Sequence, residues 1–167
     1  MNWKQILFVT SFFSIFSVVP SQAATIGALV DGQITSLSVK EGDKVNKGQA
    51  LLSIDSRALQ ASLAQIKAKL RLAESELKDA KVDFEAEKAL FDQNATAKRR
   101  YEASLLFKDR ATAKVDALRA ELNEVQAKLA YYEIVSPVDG VVTKLWVQLG
   151  DTVFHENMKM IEIEAKP

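Results

Sequence analysis

A sixteen-residue passage occurs twice in this 167-residue chain, as VDGQITSLSVKEGDKV at 30–45 and VDGVVTKLWVQLGDTV at 138–153. The copies align without a gap at an offset of 108 residues, with nine of sixteen positions identical. Repetition in such strict register marks two copies of one supersecondary unit. Within each copy apolar residues alternate with polar ones (Ile34, Leu37, Val39; Val142, Leu145, Val147), the pattern of a half-buried strand. Asp31-Gly32 and Gly42-Asp43 bracket the first copy, and Asp139-Gly140 and Gly150-Asp151 the second. Such pairs mark tight turns, because glycine tolerates positive φ and aspartate caps its own backbone there. One copy is too short to bury its apolar face. Two copies facing each other make a small β-sandwich, so the chain reads as one β-domain whose halves were separated by an insertion.

The insertion has a different texture. All six glycines and all three prolines lie outside Ser56–Glu133, which is dense in Ala, Leu, Lys, Glu and Gln, the strong helix formers. Asp55 or Ser56 is placed to cap the first helix. Steps of four and three then connect Leu59, Leu63, Ile66, Leu70, Ala73, Leu77, Ala80, Phe84, Glu87 and Phe91, with Glu87 the only charged interruption. A second series runs through Tyr101, Ser104, Lys108, Ala111, Val115, Leu118, Leu122, Val125, Leu129 and Tyr132, weak near its start and clean towards its end. Alternating threes and fours give the 3.5-residue seam of a coiled coil. The polar interval Gln93-Asn94-Ala95-Thr96 sits at the midpoint and predicts a hairpin with its tip at about 92–97. Each arm then has about 38 residues and a length of roughly 55 Å, at 1.5 Å per residue. The alternative is a globular helix bundle, which draws on the extra apolar residues Leu72, Val82, Leu90, Leu105, Leu106 and Phe107. It requires wider apolar faces, and no turn signal breaks either arm.

At the N-terminus, Lys4, the apolar run Ile6–Val19 and the small residues around Ser21-Gln22-Ala23 read as a secretory signal, with cleavage expected before Ala24. The run is about fourteen residues, short of the roughly 20 that span a bilayer, and an uncleaved anchor is the alternative. The expected organisation is a signal peptide at 1–23, a first β half at 24–55, a helical hairpin at 56–133 and a second β half at 134–167. Ser136-Pro137 ends the helical stretch.

Composition narrows the chemistry. Basic and acidic residues number 22 each, so no global field draws the chain to nucleic acid. Absence of cysteine excludes disulfides, thiolate metal sites and a cysteine nucleophile. A single histidine, His155, leaves little material for catalysis or metal binding. No enzymatic activity, cofactor or metal is expected. Met158-Lys159-Met160 has the form of a biotin-carrying tripeptide, but Lys159 falls at the start of the last strand instead of on a turn between halves, and no other lysine occupies such a turn. Asp31, Asp43, Asp139 and Asp151 each stand beside a turn glycine and read as structural. Lys98, Arg99 and Arg100 form a basic cluster at the tip, a solvated face or a contact to an acidic partner.

A divided β-domain with a coiled-coil hairpin between its halves resembles the periplasmic adaptor, or membrane fusion protein, family of tripartite efflux and secretion systems. The most specific stretches are LAYYEIVSPVDGVV at 129–142 and GDKVNKGQALLSID at 42–55, similar to the two halves of the family's biotinyl/lipoyl-type domain. With the hairpin, the resemblance covers nearly all of the chain after Ala23. It implies an α+β fold, a lipoyl-like β-sandwich split by a long antiparallel coiled-coil hairpin, acting as an oligomer in the periplasm. It implies an outer-membrane channel as partner at the tip (Leu90, Gln93, Asn94, Thr96, Lys98, Arg99) and an inner-membrane transporter, reached directly or through another adaptor chain. Gly32, Gly42, Asp43, Gly140, Gly150 and Asp151 would be structural turn residues of the lipoyl halves. An accessory or competing coiled-coil protein that binds full-length adaptors is the alternative, and a biotin/lipoyl carrier a further one. Typical members continue into a β-barrel and a membrane-proximal domain, so the resemblance implies a short form. Many also carry an arginine, a leucine and a serine at the tip, matched here by Ala86, Leu90 and Ala97, with Thr96 one place from the serine position.

Overall fold

The computed structural model describes residues 23–155 and 158–166; the expected secretory signal, Ala23 apart, lies outside the described residues. The elements are β1 (Ala23–Gly27), β2 (Gly32–Leu37), β3 (Lys44–Val45), β4 (Ala50–Ile54), α1 (Arg57–Asp92), α2 (Lys98–Leu129), β5 (Glu133–Val135), β6 (Gly140–Leu145), β7 (Thr152–Val153) and β8 (Lys159–Ala165).

The strands form two four-stranded sheets, ordered β1-β8-β6-β3 and β5-β4-β2-β7. Each sheet takes two strands from each half of the chain. The expectation that one copy would face the other is corrected: the copies interleave. The cause lies at the left-handed glycines Gly42 (φ 89°) and Gly150 (φ 91°), which carry the chain from one sheet across to the other. Gly42 N–H donates to Val142 O (2.8 Å) and Val142 N–H to Asp43 O (2.9 Å). The image of this pair is Gly150 N–H to Ile34 O (3.0 Å) and Ile34 N–H to Asp151 O (2.9 Å). Strands β3 and β7, two residues each, thus find their partners in the opposite half.

The sandwich core is shared as evenly. Ile34, Val39, Val45, Leu51, Leu52 and Ile54 from the first half meet Val142, Val147, Val153, Met160, Ile161 and Ile163 from the second, all buried. Burial in β4 reads exposed, buried, buried, intermediate, buried, and β8 begins with the same sequence from Lys159. The offset of 108 therefore becomes 109 in the last strand, with one extra residue between β7 and β8.

Asp55 starts the hairpin. Its carboxylate accepts the backbone N–H of Arg57 (3.0 Å), while Ser56 makes no side-chain cap and receives only the Gln60 side-chain amide on its hydroxyl (2.8 Å). Every residue of both periodic series is buried or half-buried, with Ala73, Ala80 and Val115 sealed completely. Leu72, Val82, Leu106 and Phe107 point to solvent at 61, 63, 52 and 55 % exposure. Two helices joined along one narrow seam account for this pattern; a globular bundle would have covered those four. Lys114–Glu76 (2.6 Å) and Arg119–Glu74 (2.9 Å) bridge the arms. Being exposed, they serve register more than stability. Helix α2 ends earlier than its periodicity predicts. Ala130, Tyr131 and Tyr132 bond back three residues to Ala127, Lys128 and Leu129, a tightened last turn. Tyr132 then packs on the sandwich core, and its carbonyl accepts the Ile54 N–H (2.8 Å).

Candidate functional site

The hairpin tip is a compact, braced turn. Asn94 adopts φ 55°, a left-handed conformation that asparagine tolerates better than most residues. Its N–H donates to Phe91 O (2.9 Å), and Ala95 N–H reaches back to Leu90 O (2.8 Å). This pair of bonds satisfies the last carbonyls of α1 in the manner of a Schellman cap. Thr96 donates its hydroxyl to Glu87 Oε2 (2.9 Å), which explains why a carboxylate interrupts the apolar seam one turn from its end. Below the turn, Tyr101 stacks on Phe91 with ring centroids 4.8 Å apart and meets Phe84 at 5.8 Å. Lys108 lays its ammonium 4.1 Å from the Phe84 ring centre. A cation over an aromatic face is favourable, so a lysine can occupy this seam position with its stem against apolar surface. Weak periodicity near the start of the second series thus reflects aromatic and cation–π packing in place of aliphatic contacts.

The structure brings Leu90, Gln93, Asn94, Thr96, Lys98 and Arg99 together in this one turn. All except the half-buried Thr96 are exposed. Lys98 pairs loosely with Glu102 (3.5 Å) and Lys88 with Asp92 (3.1 Å), while Arg99 and Arg100 enter no ion pair among the described residues. Ala97 precedes α2 without a side-chain cap. The hydroxyl of Thr96 is already committed inside the hairpin. Glu87 and Lys108 went unassigned at the sequence level. Their signal was present as the only two charged positions in the two seam series.

The turn residues of the sandwich act as paired devices. Asp43 Oδ2 accepts the Lys40 N–H (2.8 Å), and Asp151 Oδ2 the Gln148 N–H (2.7 Å), each closing its own turn. Asp31 and Asp139 depart from the expectation of self-capping. Asp31 accepts the backbone N–H of His155 (2.6 Å), and Asp139 that of Lys47 (2.7 Å), each in the opposite half. Interleaving causes this, because the loop nearest each aspartate belongs to the other copy. The His155 backbone N–H, and after it the His155 ring (Nδ1 at 2.7 Å), hold the Asp31 carboxyl below the ordinary carboxylate range. At the hairpin base, Arg57 grips Asp55 through its guanidinium (2.6 Å) and lowers that carboxyl to about 2. Gly32 and Gly140 sit where an added side chain would meet immediate obstruction. A Cβ on Gly32 would stand 2.5 Å from Ile54 Cγ2, and one on Gly140 would run into the Glu164 carbonyl oxygen. Lys159 lies in β8 opposite Gly27, its ammonium 5.8 Å from the Trp146 ring centre, a strand position and not a swinging turn. No cluster of three or more metal-ligand side chains occurs among the described residues. None of their helices is long and apolar enough to cross a membrane.

Residues 22–163 match the family model described as the barrel-sandwich hybrid domain of RND membrane fusion proteins. The chain is 33 % identical over 135 residues to the multidrug resistance protein MdtE of Escherichia coli K12, covering 81 % of this chain and 35 % of MdtE. It is 32 % identical over 142 residues to the macrolide export protein MacA of E. coli O157:H7, covering 77 % and 38 %. It thus spans little more than a third of the length of these relatives. Among solved structures, the membrane fusion protein Spr0693 of Streptococcus pneumoniae superposes with a TM-score of 0.66 at 18 % identity, over 86 % of this chain and 61 % of that one, a likeness of fold. The interleaved sandwich, the coiled-coil hairpin between its halves and a match over most of the sequence place this chain in the membrane fusion protein family of periplasmic efflux adaptors.

Proposed function

We propose that this chain is a periplasmic adaptor subunit that links an inner-membrane transporter to an outer-membrane channel, with the hairpin tip as the channel contact. The observation that carries this reading is the tip itself. It is a rigid, capped turn at the far end of two arms, α1 alone extending about 54 Å at 1.5 Å per residue. It presents Leu90, Gln93, Asn94, Lys98 and Arg99 to solvent. Stacking of Phe91 on Tyr101 and the Thr96–Glu87 bond fix the turn before any partner arrives, and preorganisation of this kind lowers the entropic cost of docking. The role is mechanical. Energy coupling belongs to the transporter, and the chain works as an oligomer or beside another adaptor chain. Export by Met1–Ala23 delivers it to the periplasm.

The absence of cysteine allows a direct test. Gln93→Cys, labelled with a photo-crosslinker in intact cells that lack N-linked glycosylation, is expected to capture an outer-membrane channel protein. Lys98→Glu with Arg99→Glu is expected to reduce that capture severalfold while circular dichroism stays unchanged, since charge reversal at a rim slows encounter without touching the seam. Capture solely of this chain's own copies, or of another adaptor's hairpin, would overturn channel docking and favour the accessory role.

A further inference from the structure

We propose that Asn94 is an acceptor for an N-linked oligosaccharide. The tip reads Asp92-Gln93-Asn94-Ala95-Thr96. Its centre, Asn94-Ala95-Thr96, has the asparagine, the non-proline middle residue and the hydroxyl two places on that define an N-glycosylation acceptor. Such triplets are short enough to arise by chance, so the structural setting carries the argument. Asn94 lies in the one interval between α1 and α2, residues 93–97, where the hairpin is not helical. It is exposed, and its side-chain amide makes no hydrogen bond to any described residue. The left-handed backbone at φ 55° places it at the apex of the turn. An acceptor must leave the protein surface and enter a transferase's peptide groove. Here that requires releasing the Thr96 hydroxyl from Glu87, the Ala95 N–H from Leu90 and the Asn94 N–H from Phe91, three bonds confined to the turn. Asp92, two residues before the asparagine, is 61 % exposed at its side chain. Its carboxylate is paired with Lys88 (3.1 Å) and leaves the asparagine amide free.

The transfer balances with a single co-reactant, an oligosaccharide linked to a polyprenyl diphosphate. Asn94 Nδ2 attacks the anomeric carbon and a C–N bond forms. The C–O bond to the diphosphate breaks, the polyprenyl diphosphate departs with the bonding pair, and the amide gives up one proton. No oxidant or reductant takes part. The product carries a bulky, hydrated chain at the point of the hairpin where channel docking is proposed, so glycosylated and docked molecules would form separate populations.

This inference rests on the export proposed above, because the donor and its transferase face the periplasm. The full chain with its own N-terminus is expressed in a host that makes such a donor and its transferase, and in the same host without the transferase. Intact and peptide masses are then measured on periplasmic material. The expected result is one added oligosaccharide on the peptide containing Asn94, present with the transferase and absent without it. It is lost in Asn94→Gln and Thr96→Ala, and retained in Thr96→Ser. Circular dichroism on each variant separates loss of acceptor from loss of fold, and Thr96→Ser keeps a hydroxyl for Glu87. Unmodified wild-type chain recovered from the periplasm would overturn the acceptor assignment and leave export standing. Chain held in the cytoplasm would overturn both.

Discussion

The two halves of the β-sandwich show what a repeat must preserve and what it can let go. Of the sixteen aligned positions, six pairs differ and are exposed in both copies: Gln33/Val141, Ser36/Lys144, Ser38/Trp146, Lys40/Gln148, Glu41/Leu149 and Lys44/Thr152. The seventh difference, Ile34/Val142, is a conservative exchange in the core. Each of the nine identities has a physical task. Val39 and Val45, with Val147 and Val153, are buried; Val30 and Leu37, with Val138 and Leu145, pack against that core. Thr35 and Thr143 each donate a hydroxyl to a carbonyl of the neighbouring strand at 3.2 Å, Ser53 and Glu162 respectively. The remaining identities are the two glycines and two aspartates of each copy, which set the turns and tie one half to the other. Sequence was kept where the chain crosses between sheets, fills the core or bonds a neighbouring strand through a side chain, and it drifted elsewhere.

Near-symmetry invites substitutions made in pairs. The largest effect is expected at the two close-approach glycines, and there the halves should differ. A methyl on Gly140 meets the backbone carbonyl of Glu164 and Ile163 Cγ2 at 2.8 Å, whereas one on Gly32 meets only the side chain of Ile54. The Ile54 side chain, buried and stiff at χ1, can yield by a small shift against the core; a carbonyl in the middle of a sheet can move only with its strand. Gly140→Ala should cost about 3 kcal/mol or more and Gly32→Ala about 1–2 kcal/mol, within the range for overpacked sites. Equal losses in urea unfolding would show the two sites to be interchangeable. Next in size are Val45→Ala and Val153→Ala, at 2 and 0 % exposure. Each should cost about 2 kcal/mol through lost burial and a residual cavity. Here equality is the expectation, and a gap beyond about 1 kcal/mol would mean that one half bears more of the core than the other.

This symmetry also shows how far the sequence could be read. The repeat announced two equivalent β units, and strict spacing from Leu59 to Phe91 placed the seam of α1. Both are local patterns that survive without three-dimensional context. Interleaving was not legible, because alternation tells which face of a strand is buried and says nothing of which half supplies its neighbour. For that reason Asp31 and Asp139 resembled self-capping turn residues. Their partners, His155 and Lys47, lie 124 and 92 residues away, and no spacing rule connects them. The tip was legible as a break in helicity. Its brace was not, since Glu87 and Lys108 look like flaws in a seam until Thr96 and Phe84 are seen to use them.

The smallest expected effects concern the carboxylates, where pH supplies the probe. Asp139→Ala removes one hydrogen bond between halves and should cost about 1 kcal/mol. Asp31→Ala removes the equivalent backbone bond and the His155 ring contact as well, so it should lower the melting temperature more. Both Asp31 and Asp55 are held below the ordinary carboxylate value of 3.8, Asp55 at about 2. In each case the folded protein favours the ionised form, and the unfolded chain takes up the proton first. The stability they contribute is therefore fully present above about pH 4 and is lost as pH falls through the folded values. For Asp55 that window runs from about pH 4 to about pH 2. Wild-type protein should show a melting temperature that declines across it. Asp55→Asn should flatten the decline most, since its carboxyl is lowered furthest, and Asp31→Asn should flatten it less. If neither substitution changed the slope, acid sensitivity would have to come from other carboxylates, and the Asp31–His155 contact would be only a surface encounter in place of a tie between the halves.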